Sequence, residues 1–219
     1  IDIKLGCDAD GILQAMQAKV VSDTGAYGSL GGPVLQRACT HLGGPYNYHN
    51  IDIVGDAVYT NNPPAGAFRG FGVTQSAAAI EPLINQLARQ AGIDLWEMRY
   101  RNAIRPGLSL PNGQIVEDDA AFVESLEAVK DAWDKYSADP DVCVGIAGSM
   151  KNAGVGVGLK DPGRANLAVV NGKVEVRASA AANGQGIATV VTQIAAESTG
   201  LPLDMLIYTM PDTSYSPDS

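Results

Sequence analysis

The segment at residues 61–72, NNPPAGAFRGFG, combines residue types that suit the binding of an anionic or planar ligand. Arg69 lies between Phe68 and Phe71 and is followed by Gly70. A guanidinium offers paired, planar donors to an anion, and an aromatic ring offers a face on which a flat molecule can stack. A surface arginine beside core phenylalanines would use the same residue types, so the pattern alone leaves both interpretations open.

A second segment of this kind is NGQG at residues 183–186, directly before a predicted helix. At both segments, glycine removes side-chain bulk where free backbone N–H groups at a helix start can face an anion. Glycine before a helix is also ordinary turn chemistry. The pattern GVGVG at residues 154–158 lacks the strand–loop–helix context and the later acidic residue of a dinucleotide-binding fingerprint, which excludes a Rossmann interpretation.

Composition excludes several classes of partner. The 219 residues carry a net charge of −9 and only 15 scattered Lys and Arg, so neither nucleic acid nor an anionic membrane surface is expected as a partner. Hydrophobic residues make up 46% and charged residues 18%, as in an ordinary globular protein. No apolar run is long enough to span a bilayer.

The cysteines predict no metal cluster and no disulfide framework. Cys7, Cys39 and Cys143 are far apart and form no CxxC pair, so reduced thiols in a cytoplasmic protein are expected. The chain begins within an alternating pattern and stops after a turn, and we therefore expect an internal piece of a larger protein.

The hydrophobic periodicity of the sequence predicts the helices and strands that position these segments. In the first part of the chain the sequence predicts a hairpin over 2–22, a short helix over 33–41, and a strand over 46–60. A helix with Ile80, Leu83, Ile84, Leu87, Ala88 and Ala91 on one face follows. Because Pro82 lies within it, either the helix kinks there or its regular part starts at Glu81. Two further helices are predicted, one capped by Asp94 and one running from Asp118 or Asp119 to about Tyr136 with Phe122, Leu126, Val129 and Trp133 inward.

The later part of the chain predicts strands over 142–147, 155–159 and 167–170, then an Asn171-Gly172 turn into a strand over 173–178. A helix follows with Ile187, Val190, Val191, Ile194 and Ala195 inward, and a last strand covers 205–210. No internal repeat is visible. This order predicts an α+β fold with mixed or antiparallel sheets and packed helices, in two lobes at residues 1–140 and 141–219.

Three motifs in this chain resemble those of the molybdenum hydroxylases, the family of xanthine dehydrogenases, aldehyde oxidases and aldehyde oxidoreductases. GAFRGFG at 66–72 with Thr74 and Gln75 is similar to the family's AFRGFG-x-x-Q segment. NGQG at 183–186 with Thr189 and Gln193 is similar to MGQG-x-x-T-x-x-x-Q-x-A. Residues 212–219 resemble the D-T-x-x-x-P-x-S loop downstream.

The resemblance implies a role for each matching residue. Phe68, Arg69 and Gly70 would lie against the molybdenum centre, and Phe71 would contact the substrate. Gly184, Gln185 and Gly186 would bind the pyranopterin of a molybdenum–molybdopterin cofactor, in its simple or cytosine dinucleotide form. Ser216 and Ser219 would approach the far, phosphate-bearing end of that cofactor. Residues 68–71 and Gln185 would then face a crevice shared by the two lobes. Asn183 replaces the family's usual methionine, and the family's GGGFGGK-like loop is absent from this sequence.

For the parent enzyme the resemblance implies hydroxylation of a C–H bond of an aldehyde or a purine-like N-heterocycle, with water as oxygen source. Iron–sulfur clusters and FAD would be held on other domains or subunits, beside the remaining segments of the molybdenum subunit, in a homodimer. No glutamate here lies in the family's base motif, and each is expected to be a solvated helix or strand residue. The catalytic base is therefore expected outside this chain, and the 219 residues alone are expected to be inactive. Two alternatives stay open: a non-catalytic fragment or split-subunit module that folds without binding cofactor alone, and a phosphoanion-binding protein.

Overall fold

A computed structural model describes residues 1–118, 120–152, 154 and 162–218 of the chain. It divides into two compact units, Ile1–Lys151 and Asn152–Ser219. Each unit contains a three-stranded mixed sheet and packed helices, which confirms the predicted α+β class. The prediction of two cofactor-binding lobes separated near Pro140 stays a prediction.

The first unit begins with the predicted hairpin. Strands β1 (Asp2–Cys7) and β2 (Leu13–Gly25) are antiparallel, and Gly11 takes the left-handed φ of +76° that the turn requires. Helix α1 (Gly31–His41) then leads into β3 (Asn50–Tyr59), which pairs with β2 in parallel. The order along the sheet is therefore β1-β2-β3.

The main core of the first unit lies between this sheet and helices α1 and α2 (Val73–Ala91). The buried face of β2 includes Met16, Ala18 and Val20, spaced two residues apart as a strand requires. Ile80, Ile84 and Ala88 of α2 are fully buried against them, and Leu83 and Leu87 are half-buried, which confirms most of the predicted inner face. Ala91 is exposed at the end of the helix, so its prediction as an inward residue is wrong. The helix runs without interruption through Pro82, so the alternative start at Glu81 is wrong.

A second, smaller cluster joins α3 (Leu95–Asn102), α4 (Phe122–Ala128) and α5 (Lys130–Ser137). Asp94 caps α3 as predicted, accepting hydrogen bonds from the N–H groups of Trp96 and Glu97. The single helix predicted up to Tyr136 is instead two helices that meet at Val129. That residue is 44% exposed rather than inward.

Two further predictions in this region are wrong. Helix α4 begins after Ala121 without a side-chain cap, so Asp118 does not cap it; Asp119 lies outside the described residues. No strand forms at residues 142–147. A Cβ on the nearby Gly148 would lie 2.7 Å from the Phe122 ring, because this segment runs close against α4 instead of pairing in a sheet.

The second unit repeats the topology of the first. Strands β4 (Ala165–Val170) and β5 (Lys173–Ala178) form an antiparallel hairpin around Asn171 and Gly172, both at positive φ as predicted. Helix α6 (Ile187–Thr199) leads into β6 (Leu206–Thr209), which is parallel to β5. Both units therefore contain a ββαβ arrangement, which helices α2 to α5 follow in the first unit, and the sequence does not display this repeat in topology. The strand predicted at 155–159 lies outside the described residues.

Helix α6 differs from its prediction in burial. No residue of α6 is buried within its unit, and of the predicted inward residues Val190 and Ile194 are 44% and 58% exposed. The helix contacts β5 and β6, while Leu167 and Val169 of β4 are also largely exposed. The apolar spacing correctly predicted that α6 is a helix, but the packing of α6 within this unit covers only part of its apolar face.

Candidate cofactor-facing site

The motif loop at residues 60–72 leaves the first sheet where β2 also ends. Because β2 and β3 are parallel neighbours, the chain segments that follow them emerge at the same edge. Backbone hydrogen bonds join the two segments: the N–H of Ala26 donates to Asn62 O, and the N–H of Ala65 donates to Thr24 O, each at 3.2 Å. These hydrogen bonds therefore fix the start of the motif loop against the end of β2.

The end of the loop is a tight turn into α2. Gly70, Phe71 and Gly72 all have positive φ, at +99°, +49° and +98°. At Gly72 a Cβ would lie 2.3 Å from the carbonyl oxygen of Val34 and 2.8 Å from the backbone N of Ala38. Only glycine therefore permits this close contact with α1, and Phe71 bears a backbone strain of about 1–3 kcal/mol.

This turn presents the predicted residues on the surface of the unit. Phe68 is 85% exposed, Arg69 is exposed, and Phe71 is half-buried. The first turn of α2 carries no acidic side chain, so its N-terminal dipole favours an anion. Buried Ser76 fixes the helix start by donating from Oγ to Ala38 O at 2.7 Å.

The GQG loop connects β5 to α6. Gly184 and Gly186 have φ of +86° and +75°, and Gly186 directly precedes the helix. The Gln185 side chain folds back on its own loop, where Nε2 donates to Ala181 O at 2.9 Å and Oε1 accepts from the N–H of Asn183 at 2.5 Å. A primary amide has two N–H groups, and the hydrogen bond to Ala181 uses one, so the second has no partner among the described residues.

The loop after β6 contains Ser216. Its Oγ accepts from the N–H of Asp212 at 3.0 Å, and its own N–H donates to Asp212 O at 2.9 Å. The Asp212 carboxylate accepts from the N–H and the hydroxyl of Ser214, and these hydrogen bonds lower the pKa of Asp212. Ser219 lies outside the described residues.

Within the second unit, the segments that carry Gln185 and Ser216 emerge at one edge of the sheet. They follow the parallel strands β5 and β6, and the Tyr208 hydroxyl at the end of β6 donates to Ala180 O at 2.9 Å. Residues 68–71 belong to the first unit and Gln185 to the second. The predicted crevice shared by the two stays a prediction.

Sequence reasoning missed the residues that hold these loops. At the end of β2, Asp23 accepts hydrogen bonds from Gly25, Thr60 and Asn62, which lower the pKa of its carboxyl. Its signal in the sequence was Asp-x-Gly, the pattern of a side chain that bonds to the backbone two residues on. Asn166 and Arg164, which donate to Tyr215 O and Asp218 O, had no comparable signal.

The glutamates were expected to be solvated, and for Glu81 that is wrong. Glu81 is buried and accepts from both Nε and Nη2 of Arg99, at 3.1 and 2.5 Å, and from the Tyr46 hydroxyl at 2.5 Å. This network compensates the burial of its charge. Burial and the charge of Glu81 raise the pKa of Tyr46.

Two kinds of feature are absent from the described part of the chain. His, Cys, Asp and Glu side chains form no group of three or more able to hold a metal ion there. Among the helices in the same ranges, none has the length and apolar character that crossing a bilayer requires.

Comparison with known proteins agrees with the motifs. Two family models, each described as a molybdopterin cofactor-binding domain, match residues 1–103 and 120–219. The large molybdopterin subunit of nicotinate dehydrogenase from Eubacterium barkeri is 43% identical over 128 residues, covering 58% of this chain. A subunit of a probable xanthine dehydrogenase from Bacillus subtilis is 34% identical over the whole chain. The chain belongs to the molybdenum hydroxylase family.

The fold comparison gives the same family. Aldehyde oxidoreductase from Desulfovibrio gigas matches 98% of this chain with a TM-score of 0.74 and 28% identity, over 25% of its own length. The chain likewise spans about 30% of the length of the two curated relatives above.

The loop residues fit a molybdopterin cofactor. Apart from its chain neighbours, no described residue has an atom within 4 Å of the position a Cβ would take at Gly186, so this glycine borders open space at the start of α6. Backbone N–H groups at a helix start and a remaining amide donor suit the heteroatoms of a pterin and its phosphate.

Proposed function

We propose that this chain forms part of the molybdenum centre of an enzyme that hydroxylates a C–H bond, with water as the oxygen source. The observation that carries the proposal is the surface formed by Phe68, Arg69 and Phe71. The turn that carries this surface lies against α1, because Gly72 has no Cβ to prevent that contact. The family match supports a molybdopterin oxidoreductase, and the substrate and electron route are our inference.

In this proposal each loop has a distinct task. Residues 68–70 lie against the metal centre, and Phe71 stacks on a planar substrate. Gly184, Gln185 and Gly186 hold the pterin, and residues 216–219 lie near its phosphate or cytosine dinucleotide end. The cofactor, when bound, supplies the two-electron oxidation, and iron–sulfur clusters and FAD on other domains or subunits accept the electrons.

The substrate class that we favour is an N-heterocycle or an aldehyde with an electrophilic carbon. Names of the relatives include a nicotinate dehydrogenase, a xanthine dehydrogenase and an aldehyde oxidoreductase. A half-buried aromatic ring such as Phe71 suits a flat ring, and small aldehydes can use the same face. We further propose a cytoplasmic enzyme, since the cysteines in the described residues are free thiols, as a reducing compartment maintains them. That the parent enzyme is a homodimer is proposed from the family resemblance.

The reaction class is tested by isotope labelling of the holoenzyme. We expect the product from nicotinate, xanthine or an aromatic aldehyde to contain ¹⁸O when the reaction is run in labelled water, and none when only the dioxygen is labelled. Label from dioxygen, or no turnover of any of the three substrate types by a molybdenum-loaded enzyme, contradicts the proposal.

The role of Gln185 is tested by its replacement with alanine. Loss of the amide removes a hydrogen bond to the pterin, and we expect the molybdenum and pterin content of the purified holoenzyme to fall about tenfold. Gln90→Ala is the matched control, because Gln90 is an exposed glutamine on α2 outside the motifs. Equal cofactor content in both variants would show that Gln185 serves only its own loop.

The role of Phe71 is tested in the same enzyme. Phe71→Ala removes a stacking surface that contributes about 1–1.5 kcal/mol beyond burial, or roughly tenfold in kcat/KM for a flat substrate. Molybdenum content is expected to stay near its original value. A parallel loss of molybdenum would mean that Phe71 is packing for the turn rather than a substrate contact.

We also propose that the 219 residues alone do not turn over. The described residues hold no cluster-binding cysteine set, and Glu81 is committed to its buried ion pair. Substrate-dependent dye reduction by the isolated chain, measured together with its molybdenum content, is expected to be absent. Activity of the isolated chain would mean that one of its other glutamates serves as the catalytic base.

A further inference from the structure

The end of β2 and the start of the motif loop are joined by one exposed carboxylate. Asp23 Oδ1 accepts from the N–H of Gly25 at 2.8 Å and from the Thr60 hydroxyl at 2.5 Å. Asp23 Oδ2 accepts from Nδ2 of Asn62 at 2.5 Å. Thr60 and Asn62 are 37 and 39 residues away along the chain, so these bonds connect the end of β2 to the start of the motif loop.

Backbone contacts around Asp23 transmit this connection to the motif. The N–H of Thr60 donates to Gly25 O, and the loop continues along β2 until the N–H of Ala65 donates to Thr24 O. At Gly25 a Cβ would lie 2.4 Å from Pro63 O, so the end of β2 and the motif loop are in direct backbone contact. Phe68 follows three residues after the last of these bonds.

The Asp23 side chain contributes little to the core. It is exposed, whereas the residues that hold the sheet to its helices are buried on the other face of β2. Exposed hydrogen bonds and charges contribute weakly to global stability, but they can decide which local conformations a surface loop populates. The bonds to Asp23 thus act on the loop more than on the fold.

We propose that Asp23 is a positioning residue, which acts through Thr60 and Asn62 to hold the loop that carries Phe68, Arg69 and Phe71 in its working conformation. The proposal rests on the proposed function of that loop. It adds a residue outside the motif on which the geometry of the site depends.

The test measures loop mobility and catalysis separately in the holoenzyme. In Asp23→Ala, amide hydrogen exchange of peptides covering residues 60–72 is expected to become about tenfold faster, because local opening costs less once the three bonds are lost. The value of kcat/KM is expected to fall about tenfold, since small misplacement of a positioning group lowers the rate strongly. The midpoint of chemical unfolding is expected to stay unchanged.

A charge swap separates a positioning role from a merely structural one. Asn62→Asp places two carboxylates face to face and is expected to speed loop exchange at least as much as Asp23→Ala. Asp23→Asn combined with Asn62→Asp keeps one carboxylate and one amide, and the amide oxygen introduced at position 23 would still accept from Gly25 and Thr60. We expect this double variant to recover exchange and kcat/KM to within about threefold of the original enzyme, a non-additive result that only direct coupling predicts.

Asp56→Ala is the matched control, because Asp56 is an exposed carboxylate in the same sheet whose partner is Lys19 rather than the loop. It is expected to change neither exchange nor kcat/KM. Unchanged exchange at 60–72 in Asp23→Ala would overturn the proposal, as would no recovery in the swap. Faster exchange with full activity would overturn the positioning role alone. The proposed function is judged separately, by the Gln185 and Phe71 variants.

Discussion

The glycine-bearing turns that lead into α2 and α6 differ in what surrounds their glycines. At Gly72 the missing side chain makes room for the backbone of α1, and the helix that follows contains six buried residues. At Gly186 the missing side chain leaves open space, and the helix that follows contains no buried residue within its unit. The turn into α2 is therefore shaped by the chain's own packing, while the turn into α6 is shaped by local backbone preference.

The glycine before each of the two helices therefore has a different role. Before α2, glycine fixes a strained turn so that Phe68, Arg69 and Phe71 are presented on a firm base. Before α6, glycine borders open space at the helix start. In the proposed function, a ligand at the turn into α2 would meet a preorganised surface, and a ligand at the turn into α6 would enter open space.

The largest expected effect concerns the buried anchor of α2. Glu81→Ala leaves the Arg99 guanidinium buried without its carboxylate and removes the acceptor of the Tyr46 hydroxyl. We expect the free energy of unfolding to fall by about 3–5 kcal/mol, measured by urea denaturation followed by tryptophan fluorescence.

The matched variant is Glu197→Ala, which removes an exposed glutamate from α6. It is expected to change the free energy of unfolding by less than about 0.5 kcal/mol. Similar losses in the two variants would contradict the contrast between the two helices, and would mean that Glu81 and Arg99 are far less buried than the structure has them.

The next effect compares the two glycines directly. Gly72→Ala combines an unfavourable φ with a Cβ placed against the α1 backbone, and we expect a loss of about 3 kcal/mol or more in the free energy of unfolding. Gly186→Ala meets only the unfavourable φ, so a loss of about 1 kcal/mol is expected. If both variants lose the same amount, the space around Gly186 is filled by other parts of the protein.

Much of the fold was predictable from sequence because its signals are local. The Asn171-Gly172 turn, the Asp94 cap and the apolar spacing of Ile80, Ile84 and Ala88 each act within a few residues. The break at Val129 and the missing strand at 142–147 were not predictable in this way. They depend on tertiary contacts such as that of Gly148 with the Phe122 ring, which no periodicity encodes.

The residues of the site likewise divide into those that the sequence identified and those that depend on tertiary contacts. The residue types of the motifs left two interpretations open, and it was their resemblance to the family's motifs that assigned them to a site. The structure has Phe68, Arg69 and Gln185 at exposed loop positions. The role of Gly72 in helix contact and the bonds of Asp23 to Thr60 and Asn62 join residues that are far apart in sequence. A buried ion pair such as Glu81 with Arg99 is equally invisible in a helix pattern, where glutamate usually indicates a solvated face.

The smallest expected effect compares the carboxylates that organise the loops after β2 and β6. Both Asp23 and Asp212 have a pKa below the ordinary value of 3.8, because hydrogen-bond donors favour the charged form. A depressed pKa in the folded state stabilises the protein above the unfolded value, and this contribution is lost as the pH falls through the folded value. Between pH 4 and pH 7 neither loop should change, and below about pH 3.8 both should loosen.

The extent of that loosening distinguishes the two carboxylates. The Asp212 carboxylate bonds to Ser214, two residues away, so Asp212→Ala is expected to speed amide exchange at residues 212–216 alone. Asp23 joins the end of β2 to the start of the motif loop, and its protonation is expected to release residues 60–72 together with the end of β2. Amide exchange as a function of pH in the original enzyme and in Asp212→Ala measures both extents. A change at residues 183–186 in Asp212→Ala would show that the neighbouring loops of the second unit are coupled as well, and the contrast with the first unit would then fail.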